Sequence, residues 1–286
     1  MSYFDDSKSE SILPKEKRRD SFSNSKRSSK IYKKPVELSV YQTIIDIIGI
    51  NSYTWKIYII TSLFFLSDGG EMIVLSLMLS KVAESWGLSP SLKGLLGSSV
   101  FIGIFIGALI CGRFSDIKGR RPVFILGSLL VTIFSLLSAF CNNYFTFFLA
   151  RSLCGVGVGL SLPSSSALSL EVTPTYYRHF VIVVMMFSFP IGEIFVIIIA
   201  KIILPLEWGW RYLLAFATIP CLIGYLMSLV IYESPKFLLT TRRFREAFES
   251  LEKLISASDK EFVLTDQIKE KLKEEFNCYT KLIEDD

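Results

Sequence analysis

Residues 57–79 read IYIITSLFFLSDGGEMIVLSLML. Nothing in the run breaks a helix, and about 23 residues at about 1.5 Å each cross a bilayer core of about 30 Å. Asp68-Gly-Gly-Glu71 sits at its centre. Each carboxylate at mid-depth costs about 2.5–3.5 kcal/mol on insertion scales. Spaced three apart, the two share a helix face. The paired glycines are expected to loosen the helix there. A chain that keeps this arrangement uses it on a water-filled path, or buries it as a structural polar pair between helices.

The composition agrees with a lipid-crossing chain. Of 286 residues, 51% are hydrophobic and 14% aromatic, with 23 Phe, which is too apolar and too segmented for an ordinary soluble domain. The net charge of +4 hides an asymmetry. Residues 1–34 hold ten Lys/Arg, five acids and nine Ser with little to bury, and read as a disordered basic tail. With no apolar run behind its charges, that tail is not a cleavable signal peptide. It suits anionic lipid headgroups as a partner better than nucleic acid. Cys111, Cys141, Cys154 and Cys221 lie in or beside apolar segments and Cys278 in a charged tail. Their spacing suggests neither a metal site nor a disulfide frame, so they read as small apolar packers. No cofactor is implied. No Ser–His, metal-binding or aspartyl pair stands in a catalytic setting, so the chain does not read as an enzyme.

Outward from 57–79, residues 35–55 read as an amphipathic helix at the membrane surface. Five further spans follow, at about 91–112, 122–141, 144–169, 179–203 and 211–231, the second opened by Ser89 as cap and Pro90 in the first turn. The expected class is therefore an all-α membrane protein with a six-helix domain over 56–232. The segment 233–286 is a charged linker whose apolar residues repeat at helical spacing over 243–256 and again from Leu264 to Phe276. These helices either cover the ends of the spans or stand as solvated linkers. Arg113, Lys118, Arg120 and Arg121 between spans two and three, with Arg178 and Lys236, Arg242, Arg243 and Arg245, put both termini in the cytosol. Gly103-x-x-x-Gly107 and Gly155-x-Gly157-x-Gly159 mark helices that pack closely, since backbones without side chains approach and gain contacts lipid cannot supply.

Between spans two and three stands Gly112-Arg-Phe-Ser-Asp116-Ile-Lys-Gly119-Arg120-Arg121. Gly112 and Gly119 permit a tight reversal and close packing, and Asp116 suits a helix N-terminus. The run resembles the G-x-x-x-D-x-x-G-R-[RK] signature of the major facilitator superfamily, at the loop where that family carries it. Arg151-x-x-x-Gly155, Glu171-Val-Thr-Pro174-x-x-x-Arg178, Gly209-Trp-Arg211 and Glu233-Ser-Pro-Lys-Phe-Leu-Leu239 resemble its sugar-porter branch. Asp68-Gly-Gly-Glu71-Met and the run before it look closest to synaptic-vesicle-protein-related and organic-cation transporters.

The resemblance, over about 36–240, implies a transporter of a small polar or cationic organic solute working by alternating access. It implies a symport-type coupling between Asp68 of span one and Arg151 of span four, with protonation of Asp68 releasing Arg151. It implies a cytosolic gate of Gly112, Asp116, Gly119, Arg120, Arg121, Glu171, Arg178 and Glu233. Asp68, Glu71, Glu193 and Arg151 are the expected substrate and coupling residues, and their sum of −2 favours a cation or a proton. The family builds its cavity from two six-helix halves, and this chain carries one. A partner second half, from another chain or from a second copy, is therefore expected, and without it Asp68 and Glu71 would lie on an uncovered face. A truncated, non-transporting scaffold or regulator is the alternative.

Overall fold

The computed structural model describes residues 39–206, 208–258 and 263–284. The basic tail at 1–34 lies outside them. Among the described residues the chain is helical throughout, with six helices long and apolar enough to cross a membrane. A short helix α1 (Ser39–Ile48) precedes the spans α2 (Ser52–Ser85), α3 (Pro90–Lys118), α4 (Arg120–Phe140), α5 (Tyr144–Glu171), α6 (Arg178–Ile203) and α7 (Gly209–Ser228). Three short helices follow, α8 (Pro235–Thr240), α9 (Phe244–Ser256) and α10 (Asp266–Glu284).

Local chemistry sets the boundaries. Asn51 opens α2 with a capping box: its side chain accepts from the amides of Tyr53 and Thr54, and Thr54 Oγ1 accepts from the amide of Asn51. Ser89 caps α3 by accepting from Leu92 N, with Pro90 in the first turn, as the sequence indicates. Gly119, at φ 107°, makes the reversal between α3 and α4. Pro163, Pro190 and Pro220 lie inside α5, α6 and α7.

Two sets of close contacts build the bundle. α5 packs on α3 and α4, and α2 packs on α6 and α7, with α4 against α7 joining the sets. The glycine runs do what their spacing indicates. A Cβ at Gly103 or Gly107 would lie 2.0 or 2.3 Å from the carbonyls of Ser152 and Val156 on α5. One at Gly155 or Gly159 would meet those of Val100 and Ile104 on α3 at 2.2 and 2.3 Å. Gly69 and Gly192 do the same across α2 and α6, at 2.1 Å from Phe189 O and 1.8 Å from Leu66 O. The Gly69-Gly70 pair is therefore a packing device. It does not loosen the helix as expected, since α2 runs unbroken through it.

At the Arg120 end the short helices form a second layer. Tyr41, Ile44, Ile45 and Ile48 of α1 are buried with Ala247, Leu251 and Leu254 of α9, Leu272 and Phe276 of α10, and Phe124 and Leu168 of α4 and α5. The Tyr41 and Phe276 rings meet edge to face at 6.3 Å. The helices of the 233–286 segment cover the ends of the spans. The buried apolar residues of α1, expected against the membrane surface, pack against α9 and α10 in this structure.

Candidate functional site

Midway along the bundle, four helices converge on one ion pair. Arg151 of α5 donates from Nη1 to Glu71 Oε2 of α2 at 2.6 Å, with side chains only 1% and 4% exposed. Arg151 Nη2 donates to Ser138 Oγ of α4 at 3.0 Å. Ser135 Oγ, one turn back, donates to Glu71 Oε1 and lies 2.8 Å from Thr218 Oγ1 of α7. A hydroxyl has one proton. With that of Ser135 on Glu71, the second contact needs the Thr218 proton, but Thr218 Oγ1 also lies 2.8 Å from Leu214 O, so Thr218 shares its hydroxyl between its own helix and Ser135. Phe147 of α5 places its ring 5.8 Å from the Arg151 guanidinium carbon. An uncompensated charge here is costly, so the bidentate use of Glu71 by Arg151 and Ser135 lowers the expense of burying it.

Two sequence expectations are corrected here. Arg151 pairs with Glu71, and Asp68 is not its partner. Asp68 lies one helical turn earlier, is as buried as Glu71, and leaves Oδ1 without a hydrogen-bond partner, as does the neighbouring Ser67 Oγ. Nor does a six-helix set leave these acids uncovered. α4, α5 and α7 close over Glu71, and the tight Gly69–Phe189 contact brings α6 against α2 beside Asp68. Neither acid faces an open wet path in this structure. Glu193 of α6 is half-buried, and among the described residues no hydrogen bond or ion pair joins it to the cluster.

At the Arg120 end the second group of sequence-predicted residues is largely brought together. Glu233, just before α8, accepts from the amides of Arg120 and Arg121 at 3.1 Å each. Its carboxylate thus sits on the exposed amides that open α4, where negative charge is favoured. Burial drives its carboxyl above the usual range, against the opposing pull of the amides of Ser234, Arg121 and Arg120. Gly119 is required twice over, by its positive φ and because a Cβ would lie 2.2 Å from Glu233 Oε2. Arg120 Nε reaches Glu171 Oε1 at 3.3 Å, its Nη1 reaches Asp116 Oδ1 at 3.3 Å, and its guanidinium stands 5.0 Å over the Phe237 ring. Arg121 Nη2 donates to Leu229 O at 2.9 Å.

Two members depart from the expected pattern. Arg178 is tied to Gln42 of α1, and among the described residues it forms no ion pair with this group. A Cβ at Gly112 would meet nothing within 4 Å, so its expected close packing is absent from this set of helices, and the Asp116 side chain is 74% exposed beside it.

Sequence reasoning missed Ser135, Ser138 and Thr218. A signal exists: Ser128, Thr132, Ser135 and Ser138 recur at helical spacing along an otherwise apolar α4, and all four are buried. It expected a helix at α1 but not its part in this group, where the Tyr41 hydroxyl donates to Glu171 O at 2.9 Å and Asp46 accepts from the Thr175 amide at 2.7 Å.

The family model described as Major Facilitator Superfamily matches residues 60–274. The chain belongs to the major facilitator superfamily. It is 31% identical over 207 residues to a gentisate transporter of Corynebacterium glutamicum, covering 72% of this chain and 47% of that protein. It is 33% identical over 220 residues to organic cation/carnitine transporter 7 of Arabidopsis thaliana, covering 76% and 44%. With the synaptic vesicle 2-related protein of Bos taurus it shares 28% identity over 210 residues, covering 73% and 38%. The fold is similar to the proton:xylose symporter XylE bound to 6-bromo-6-deoxy-D-glucose, with a TM-score of 0.69 at 22% identity, covering 80% of this chain and 54% of that one. A partially occluded inward-open form of XylE from E. coli matches with a TM-score of 0.67 at 23% identity, covering 78% and 57%. The chain spans about half the length of the relatives it matches. It is an integral, multi-pass membrane protein of this superfamily.

Proposed function

We propose that this chain forms one wall of a membrane transporter that moves a small polar or cationic organic solute by alternating access, coupled to protons. The observation that carries the reading is the buried Glu71–Arg151 pair, held at mid-depth by two hydroxyls of α4, one of them in contact with Thr218 of α7. Four helices meet at one charge pair, so opening it frees them to move against one another. A proton on Glu71 leaves a neutral acid that no longer holds Arg151. Arg151 already offsets Glu71, which leaves Asp68, with its unpartnered oxygen, as the carboxylate for a cationic group or a proton. The half-buried Glu193 adds a further acid on α6. A second six-helix set completes the cavity. Arg120, Glu171 and Glu233, with Gly112, Asp116, Gly119, Arg121 and Arg178, form the gate on the cytosolic side, the side of both termini.

Uptake into proteoliposomes tests the reading. The purified chain, with any co-purifying partner retained, is offered labelled carnitine, tetraethylammonium, xylose and gentisate with and without an inward proton gradient. Gradient-dependent uptake of at least one, lost in Glu71→Gln and Asp68→Asn, supports it. Uptake that keeps its gradient dependence in both variants removes the coupling role. A well-folded protein that moves none of the four points to a scaffold or regulator.

A further inference from the structure

A furrow runs along the outer side of α2 and α6 and is not used by the proposed transport site. Trp55, Ile59, Leu63 and Leu66 line it from α2, and Phe180 and Val184 from α6. Trp55, Ile59 and Phe180 are half or more exposed, so none of the described helices covers them. From Trp55 to Leu66 the furrow is about 16 Å long at about 1.5 Å per residue, close to the half-core of about 15 Å that one leaflet offers. At its α1 end it opens into a depression lined by Trp55, Tyr176, Tyr177, Thr175 and Asp46. The Tyr176 and Tyr177 rings stand edge to face at 5.0 Å.

Asp46 is the one charged residue lining that depression. Arg178, a cation whose charge acts on Asp46, is engaged with Gln42. Burial alone would raise the Asp46 carboxyl, but hydrogen bonds from Thr175 and Gln42, with Arg178 nearby, hold it below the usual range, so it stays ionised at neutral pH. Its oxygens accept from Thr175 N, Thr175 Oγ1 and Gln42 Nε2. Three of about four acceptor positions are therefore filled and one remains for a donor outside the chain. Aromatic faces beside a lone carboxylate favour a cation.

We propose that this furrow is a phospholipid site. One acyl chain lies along α2 and α6, and an amine headgroup, ethanolamine or choline, sits among Trp55, Tyr176, Tyr177 and Asp46.

Native mass spectrometry of the full chain in detergent tests this, with phosphatidylethanolamine, phosphatidylcholine and phosphatidylglycerol titrated separately. One amine-headed lipid should be retained about fivefold more strongly than phosphatidylglycerol. Asp46→Asn should reduce that preference to near parity. Since Asp46 also braces Thr175, a second variant keeps the test independent: Ser62→Phe fills the furrow from α2 without touching α1, and should remove retention of every lipid. Equal retention of all three lipids by the unaltered chain, which is annular binding only, overturns the proposal, as does a preference that survives Asp46→Asn or retention that survives Ser62→Phe. None of these outcomes depends on uptake.

Discussion

Glu71 and Asp68 stand one turn apart on one helix and play opposite parts. Glu71 is satisfied by Arg151 and Ser135, so removing it strands a guanidinium that is 1% exposed. Glu71→Gln should lower stability by about 3–5 kcal/mol, read as a fall in the melting midpoint in detergent, and adding Arg151→Gln should recover most of it. Additive losses in the double variant would mean the two side chains do not interact as drawn. Ser135→Ala should cost about 0.6 kcal/mol, the usual worth of one hydrogen bond between membrane helices. Asp68→Asn removes no hydrogen bond seen at Oδ1 and should leave the midpoint nearly unchanged while abolishing gradient-driven uptake. The two carboxylates were legible in the sequence because charge in an apolar run has no cheap explanation. Which of them meets Arg151 was not, since a one-turn shift along α2 reverses the answer without changing any pattern.

At the scale of helices, what the sequence shows best is periodic and local. The six spans, the Ser89-Pro90 start of α3 and the glycine runs follow from hydropathy, capping and missing side chains, and each stands where those rules put it. What it hides is who covers whom. α1 carries the same apolar stripe whether it meets lipid or α10, and only the buried partners decide. Glycines make the contrast testable. Gly192→Ala pushes a Cβ to 1.8 Å from Leu66 O across α2 and α6, and should cost about 1–3 kcal/mol, whereas Gly112→Ala meets nothing and should be neutral or gain up to about 1 kcal/mol from helix propensity. Paired thermal melts check both. The anchoring of α1 also has a pH signature. The Asp46 carboxyl is held below its ordinary value of 3.8, so its contribution is present above that value and lost as pH falls through the lower folded one. Hydrogen exchange should therefore quicken in α1 and the Thr175–Tyr177 turn under strong acid, and Asp46→Asn should show the fast exchange already at neutral pH.

For the molecule as a whole, the uneven covering of the spans is the main physical fact. α3 and α6 bury only 33% and 17% of their most apolar windows, against 56% for α2 and α5. Lipid accounts for an apolar outer face, but not for the features at the α1 end of α3, where Gly112 leaves open space and Asp116 is 74% exposed next to a Gly119 and Glu233 that are tightly engaged. Half of one motif is used within this set of helices and half is not. On the function proposed above, the unused half is the face a second six-helix set would dock against. Gly112→Trp separates the two roles of the motif, because the site is empty in this set of helices and a docked second set would fill it. The variant should melt within about 1 kcal/mol of the unaltered chain, as an exposed helix position allows. In contrast, uptake and the detergent-corrected mass of the assembled complex should both fall to those of the unassembled chain. Unchanged mass and uptake would place the second wall against another face, with α6, the least buried of the spans, the first to test.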